Sequence, residues 1–318
     1  MAPADRIIGG LLGTLVGDAL GVPVEFTGRS MRDQDPVTGM RGYGTWNQPP
    51  GTWSDDGAMT LASADNLTAY GWDLDRLMEG FRRWYDEAWW TAHGKVFDIG
   101  GTTRMAIIDY RICTDASTSG RCDDHSNGNG SLMRILPVSA YLAGTASEDR
   151  IRRAGDASAV THAHIRSRLC CAWHAQWCAA VLAGSDARGA AGKASQRLHR
   201  EIPAEERPHL ARLLDGTAMD LPRVRVPSDG YVVSTLEAAQ WCLAQHAGFA
   251  EAVLAAVNLG GDTDTTGAVV GGMAGWLYGV DAIPTVWLDA LPRRSDIDTL
   301  STRFAERCIA EWAADEHG

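Results

Sequence analysis

Residues 6–21 read RIIGGLLGTLVGDALG, and the fold turns on how this stretch is interpreted. Ile7, Ile8, Leu11, Leu12, Leu15, Val16, Ala19 and Leu20 recur at helical spacing. Inside that helix, Gly9, Gly10 and Gly13 each cost about 0.5–1 kcal/mol relative to alanine. A helix carrying such a cost points to close contact with another helix, or to a backbone that something must approach. Charges come early in the chain, and Asp18 interrupts the run before a long apolar core forms. The basic head, apolar centre and cleavage site of an export signal are not apparent. No other segment reads as a spanning helix. The expectation is a cytoplasmic chain with reduced cysteines and no membrane association.

Composition fits a folded chain. Of 318 residues, 45% are apolar and 22% charged, which excludes a disordered polymer. Seven cysteines are too few, and odd in number, for a disulfide scaffold. The formal charge of −11 comes without any basic run, so a free-standing nucleic-acid binder is not expected. An acidic balance suits solubility, or a site that concentrates cations.

Helical patterns succeed one another along the chain. Ser54 stands as a cap before DDGAMTLASADNLTAYG, with acids in the first turn that suit the helix dipole. Amphipathic helices are expected over 73–92 and 101–113, then over 131–144 with an interruption near Pro137, and over 148–160 and 162–184. Residues 27–53 and 115–130 read as loops, and 185–233 as less regular, with room for short strands near Val224–Val226 and Tyr231–Val233. Helices resume over 234–248 and 249–261. The segment 260–267, GGDTDTTG, reads as a break, followed by a helix from 268 and a helical tail. The resulting expectation is an all-α fold in a single domain, 1–318.

Several constellations could carry chemistry. Asp55 and Asp56 repel one another at a helix start, which the dipole offsets by only about 0.3–1 kcal/mol. Solvated capping acids and a hard-cation site are both open from that piece alone. Asp262 and Asp264, flanked by Thr263, Thr265 and glycines, lie between two apolar helices, where unpaired charge is expensive; here a metal is the better reading. The twelve-residue ligand spacing of an EF-hand is missing. Carboxylates and hydroxyls without His or Cys partners suit Mg²⁺ or Mn²⁺. The run Asn127–Gly128–Asn129–Gly130–Ser131 is either an anion nest or a plain helix cap. Glu25 is a general base, a supporting acid or a surface acid, and Asp98 a helix cap or a carboxylate reaching a cleft. Asp18 reads as a structural cap. Cys170, His174 and Cys178 share one helical face, with Cys171 beside them. Their neighbours Leu169, Trp173 and Trp177 mark core packing in preference to a zinc site.

The ordered set GTLVGDALGVPVEF (13–26), WSDDGAMT (53–60), DIGGTT (98–103), NGNGSLMR (127–134), TH (161–162) and GGDTDTTGAVVGGMAG (260–275) resembles the ADP-ribosylglycohydrolase family over nearly the whole chain. Where that family usually has Thr-Asp-Asp-Thr, this chain has Ser54-Asp55-Asp56-Gly57, which keeps a hydroxyl ligand. The resemblance implies a compact orthogonal helical bundle with a binuclear metal cleft. It implies two divalent cations, Mg²⁺ or Mn²⁺, held by Ser54, Asp55 and Asp56 on one side and Asp262, Asp264 and Thr265 on the other. Glu25 matches the glutamate near the metals, and Asp98 matches the aspartate typical of members that release ADP-ribose from arginine. Gly100, Asn129, Gly130 and Ser131 match diphosphate contacts, and His162 a ribose contact. The implied substrate is an ADP-ribosylated protein or an ADP-ribose-containing small molecule. Arginine linkage is the first reading. O-linked conjugates come second, a non-catalytic relative third, and a monomer is favoured.

Overall fold

The computed structural model describes residues 1–315 and is all-α; among the described residues only isolated bridges pair extended backbone. At its centre, the Pro3–Gly21 helix runs against the Thr263–Tyr278 helix. The glycines that burden the first helix face glycines in the second. A Cβ on Gly9 would lie 2.6 Å from the Gly275 carbonyl oxygen, and Cβ atoms on Gly13 and Gly17 would collide with the carbonyls of Gly271 and Gly267. The two backbones therefore touch, and the propensity cost is the condition for that contact. On length and composition the Pro3–Val24 segment is apolar enough to cross a membrane, but 94% of its most apolar 18-residue window is buried within the protein.

Around this pair, the Asp55–Tyr70 helix packs on the Leu74–Glu87 helix, and the Arg294–Asp315 helix covers both the first helix and Asp55–Tyr70. Ser147–Ala159, Ile165–Leu182 and Ala187–Leu198 form a successive stack. Trp53, Trp84, Trp173, Trp177 and Trp276 fill the interior between these layers.

The Gly101–Cys113 helix has the expected bounds. Other boundaries moved for local reasons. The helix expected over 73–92 stops at Glu87, where Ala88 turns left-handed. Residues 131–134 form turns, and Pro137 sits in the first turn of the short Leu136–Tyr141 helix, where an interruption is expected from the sequence, because proline suits a first turn. Val224 lies in a 3-10 turn, Tyr231 makes a lone bridge to Gly128, and Val232 already begins the Val232–Gln245 helix. The 260–267 segment is only half a break: the helix starts at Thr263, so Asp264 and Thr265 belong to its first turn. The 27–53 stretch contains a short helix, Arg29–Gln34, and a 3-10 turn, Gly44–Trp46.

Candidate active site

The glycine contact brings the end of the Pro3–Gly21 helix to the start of the Thr263–Tyr278 helix. Where the first helix finishes, Gly21 accepts from the Thr263 hydroxyl at 2.8 Å. Gly260 and Gly261 have φ of 73° and 76°, and the loop they form is clamped. Phe26 N–H donates to Gly261 O at 2.7 Å, Gly261 N–H to Thr27 O at 2.8 Å, and Asp262 N–H to Ser228 O at 3.0 Å. This sets Glu25 beside Asp262 and Asp264. From the first helix, Asp18 accepts from Ser54 N–H at 2.9 and 3.0 Å and from Gly57 N–H at 2.8 Å. Asp18 thus caps the Asp55–Tyr70 helix from across the core and fixes Asp55 and Asp56 next to the second acidic loop. Ser54 Oγ donates to Asp56 Oδ2 at 3.0 Å.

The result is a buried floor of carboxylates. Ligand atoms of Asp18, Asp56 and Asp264 lie within 4.8 Å of one another, as do those of Glu25, Asp262 and Asp264. Burial, reinforced by neighbouring acids, pushes Asp55, Asp56 and Asp264 well above the carboxylate range. Burial raises Asp18 to about 7; burial, then Asp98, raises Glu25 to about 8. Burial also raises Asp262, against hydrogen bonds from Asn129 and Thr265. No lysine or arginine lines the cleft among the described residues. Asp56 Oδ1 and Asp264 Oδ2 are buried without any hydrogen-bond partner. Unpaired buried oxygens of this kind are costly as they stand. An all-oxygen donor set fits hard divalent cations, and these buried acids could hold a metal ion.

Above the floor opens a cleft of about 210 Å³, lined by Glu25, Asp55, Asp98, Asp262 and Thr265 on one side and by Gly100–Thr103, Gly128–Gly130, Met133 and His162 elsewhere. Asp98 adopts φ 52° and is half-buried, where burial raises it and hydrogen bonds with Asp264 and Glu25 hold it down. Trp46 Nε1–H donates to Glu25 Oε2 at 2.5 Å. Asn129 is tied to the acidic loop: its amide donates to Asp262 Oδ2 at 2.8 Å and to Thr235 Oγ1 at 2.9 Å. His162 is buried beside Arg134, and desolvation lowers it to about 3, so it is neutral. Its Nδ1 meets Thr161 Oγ1 at 2.9 Å, while its Cε1–Nε2 edge abuts Gly130 so closely that a Cβ there would clash.

Two features differ from the sequence reading. The Gly128–Gly130 turn does not lead directly into a helix. Among the helix starts that line the cleft, that of Gly101–Cys113 has no acid in its first turn, and its N-cap Gly100 offers no side-chain cap. Its unpaired N–H groups and dipole favour an anion there. Ser131, expected at the diphosphate, turns its hydroxyl inward to Ser158 Oγ at 2.8 Å and Cys171 Sγ at 3.5 Å. Four other groups went unassigned in the sequence: Gly101–Thr103, Met133, Trp46, and Asp18 as a neighbour of the acid cluster. The GGTT run after Asp98 was the available signal for the first. The rest arise from tertiary contacts.

Known proteins agree with this geometry. The family model described as ADP-ribosylglycohydrolase matches residues 1–314. The chain is 32% identical over 304 residues to the ADP-ribosylarginine hydrolase Tri1 of Pseudomonas putida (strain GB-1), covering 95% of this chain and 78% of that one. It is 29% identical over 290 residues to the ADP-ribosyl-[dinitrogen reductase] glycohydrolase of Rhodospirillum rubrum, covering 90% of each. A solved structure titled ADP-ribosylglycohydrolase-related protein complex superposes with a TM-score of 0.81 at 31% identity, covering 96% of this chain and 99% of that chain. With glycine-paired helices, a buried acid floor and these relatives in agreement, the chain belongs to the ADP-ribosylglycohydrolase family.

Proposed function

We propose that this protein is a metal-dependent hydrolase that cleaves the N-glycosidic bond between ADP-ribose and a modified arginine side chain, reversing protein mono-ADP-ribosylation. The observation that carries the reading is that Glu25 and Asp98 line one cleft over the acid floor, with no basic residue in its lining among the described residues. A guanidinium offers several N–H donors to such carboxylates, whereas an ether-linked serine offers none. The arginine hydrolases among the relatives, at 32% identity, support the same linkage.

In this reading Ser54, Asp55, Asp56, Asp262, Asp264 and Thr265 would hold two cations, Mg²⁺ or Mn²⁺. Such cations supply Lewis acidity for ribose hydroxyls and for a water. The Gly100–Thr103 helix start and the Gly128–Gly130 backbone bind the diphosphate. Neutral His162 orients the ribose. Asp98 keeps the departing guanidine in its charged form and serves as acid or base, and Glu25 is the neighbouring proton carrier. The test is release of ADP-ribose from matched arginine- and serine-linked peptides, with Mg²⁺ or Mn²⁺ present. Rapid release from the arginine conjugate alone is expected. Preference for the serine conjugate overturns the linkage assignment.

A further inference from the structure

Three aromatic rings cluster beside Glu25 and Asp98, two of the carboxylates that line the cleft, and the roles assigned above leave the ring faces unused. Phe26 follows Glu25 in the chain, and Phe97 precedes Asp98. Trp46 stands between them, its ring centroid 6.3 Å from that of Phe26 and 5.7 Å from that of Phe97. Its indole N–H also holds Glu25. The rim is thus fastened to both carboxylates, by chain continuity at two points and by a hydrogen bond at a third.

The rim is costly to maintain. Phe26 is 68% exposed, and its φ of 61° is one that bulky side chains rarely adopt. Strain of this kind persists only where surrounding structure enforces it, and it gathers at ligand-binding loops. Here the enforcement is visible in the paired hydrogen bonds between 26–27 and Gly261.

We infer that Phe26, Trp46 and Phe97 form a specificity-determining rim that receives the planar guanidinium and aliphatic stem of the leaving group. This rests on the arginine reading above. A guanidinium presents an edge of N–H donors and a flat, weakly hydrated cationic face. Glu25 and Asp98 take the edge, the rings take the face, and the stem covers exposed aromatic carbon. An O-linked leaving group has no cationic face to offer.

Agmatine, a free guanidinium with an aliphatic stem, probes the rim without turnover. Its affinity is measured by calorimetry in the presence of ADP-ribose and divalent cation, for wild type, Phe26→Ala, Phe97→Leu and Phe26→Tyr. The two aliphatic variants should each weaken agmatine about fivefold, the scale of a partly exposed cation–π contact. Phe26→Tyr should restore binding, and ADP-ribose affinity should stay constant throughout. On ADP-ribosylated agmatine, the same two variants should raise KM by more than they change kcat. Absence of agmatine binding to wild type, unchanged affinity in both aliphatic variants, or a parallel loss of ADP-ribose affinity overturns the rim. Wild-type failure on arginine conjugates refutes the arginine reading separately, since the agmatine titration needs no catalysis.

Discussion

Two buried clusters in this protein hold the kinds of atom that bind metals, and they differ in how their polar atoms are satisfied. In the acid floor, Asp55, Asp56 and Asp264 crowd together, and two of their oxygens have no partner. On the Ile165–Leu182 helix, Cys170, His174 and Cys178 share a face at equal spacing, yet each rests in its neutral form. Desolvation lowers His174 to about 3 and pushes both thiols up. His174 Nδ1 is satisfied by Ser139 Oγ at 2.8 Å, with Cys178 Sγ at 3.7 Å. Neutral groups are cheap to bury, whereas a set of acids without counter-charge is not. The cysteine–histidine face is satisfied within the protein, whereas the acid floor leaves buried oxygens that a hard cation could satisfy.

The largest effect is expected from the acidic cluster. Asp264→Ala should lower turnover by at least about 10³-fold, since a cation ligand supplies several kcal/mol of transition-state stabilisation. Circular dichroism should remain helical. Activity near wild type would remove Asp264 from the site.

Asp98→Asn is the next probe. It leaves the floor and the diphosphate walls intact, so ADP-ribose affinity by calorimetry should persist. The single-turnover rate on an arginine-linked peptide should fall by about 10²-fold or more, the usual scale for a positioned acid or base. An unchanged rate shifts the role to Glu25.

The smallest effect belongs to the neutral cluster. Cys178→Ala should cost about 1 kcal/mol or more of stability through the cavity it leaves, read by denaturant unfolding, with turnover largely retained. Stoichiometric zinc, lost with this substitution, would erase the distinction between the two clusters.

Legibility in the sequence followed the range of the interactions. The Gly101–Cys113 helix was readable because its apolar period and glycine entry are local. The cost of glycine within 6–21 points to a close contact, but its pairing with Gly267, Gly271 and Gly275, some 250 residues away, is not encoded locally. Both acidic motifs were visible as unusual pairs of like charge. That they share a floor depends on Asp18 capping across the core and on the Thr263–Gly21 hydrogen bond, neither of which spacing encodes. The start of the helix at Thr263 was misread because Thr and Asp read as loop formers, while burial against the first helix outweighs propensity. Trp46 was silent for the same reason: only the folded 27–53 stretch brings it to Glu25.

Titrating chelator-stripped protein with Mn²⁺ while following ADP-ribose release from an arginine-linked peptide asks whether the acid floor holds two cations that serve catalysis. No release without metal, rising to a plateau as about two equivalents bind, is the predicted result. Full turnover in metal-free buffer would contradict it.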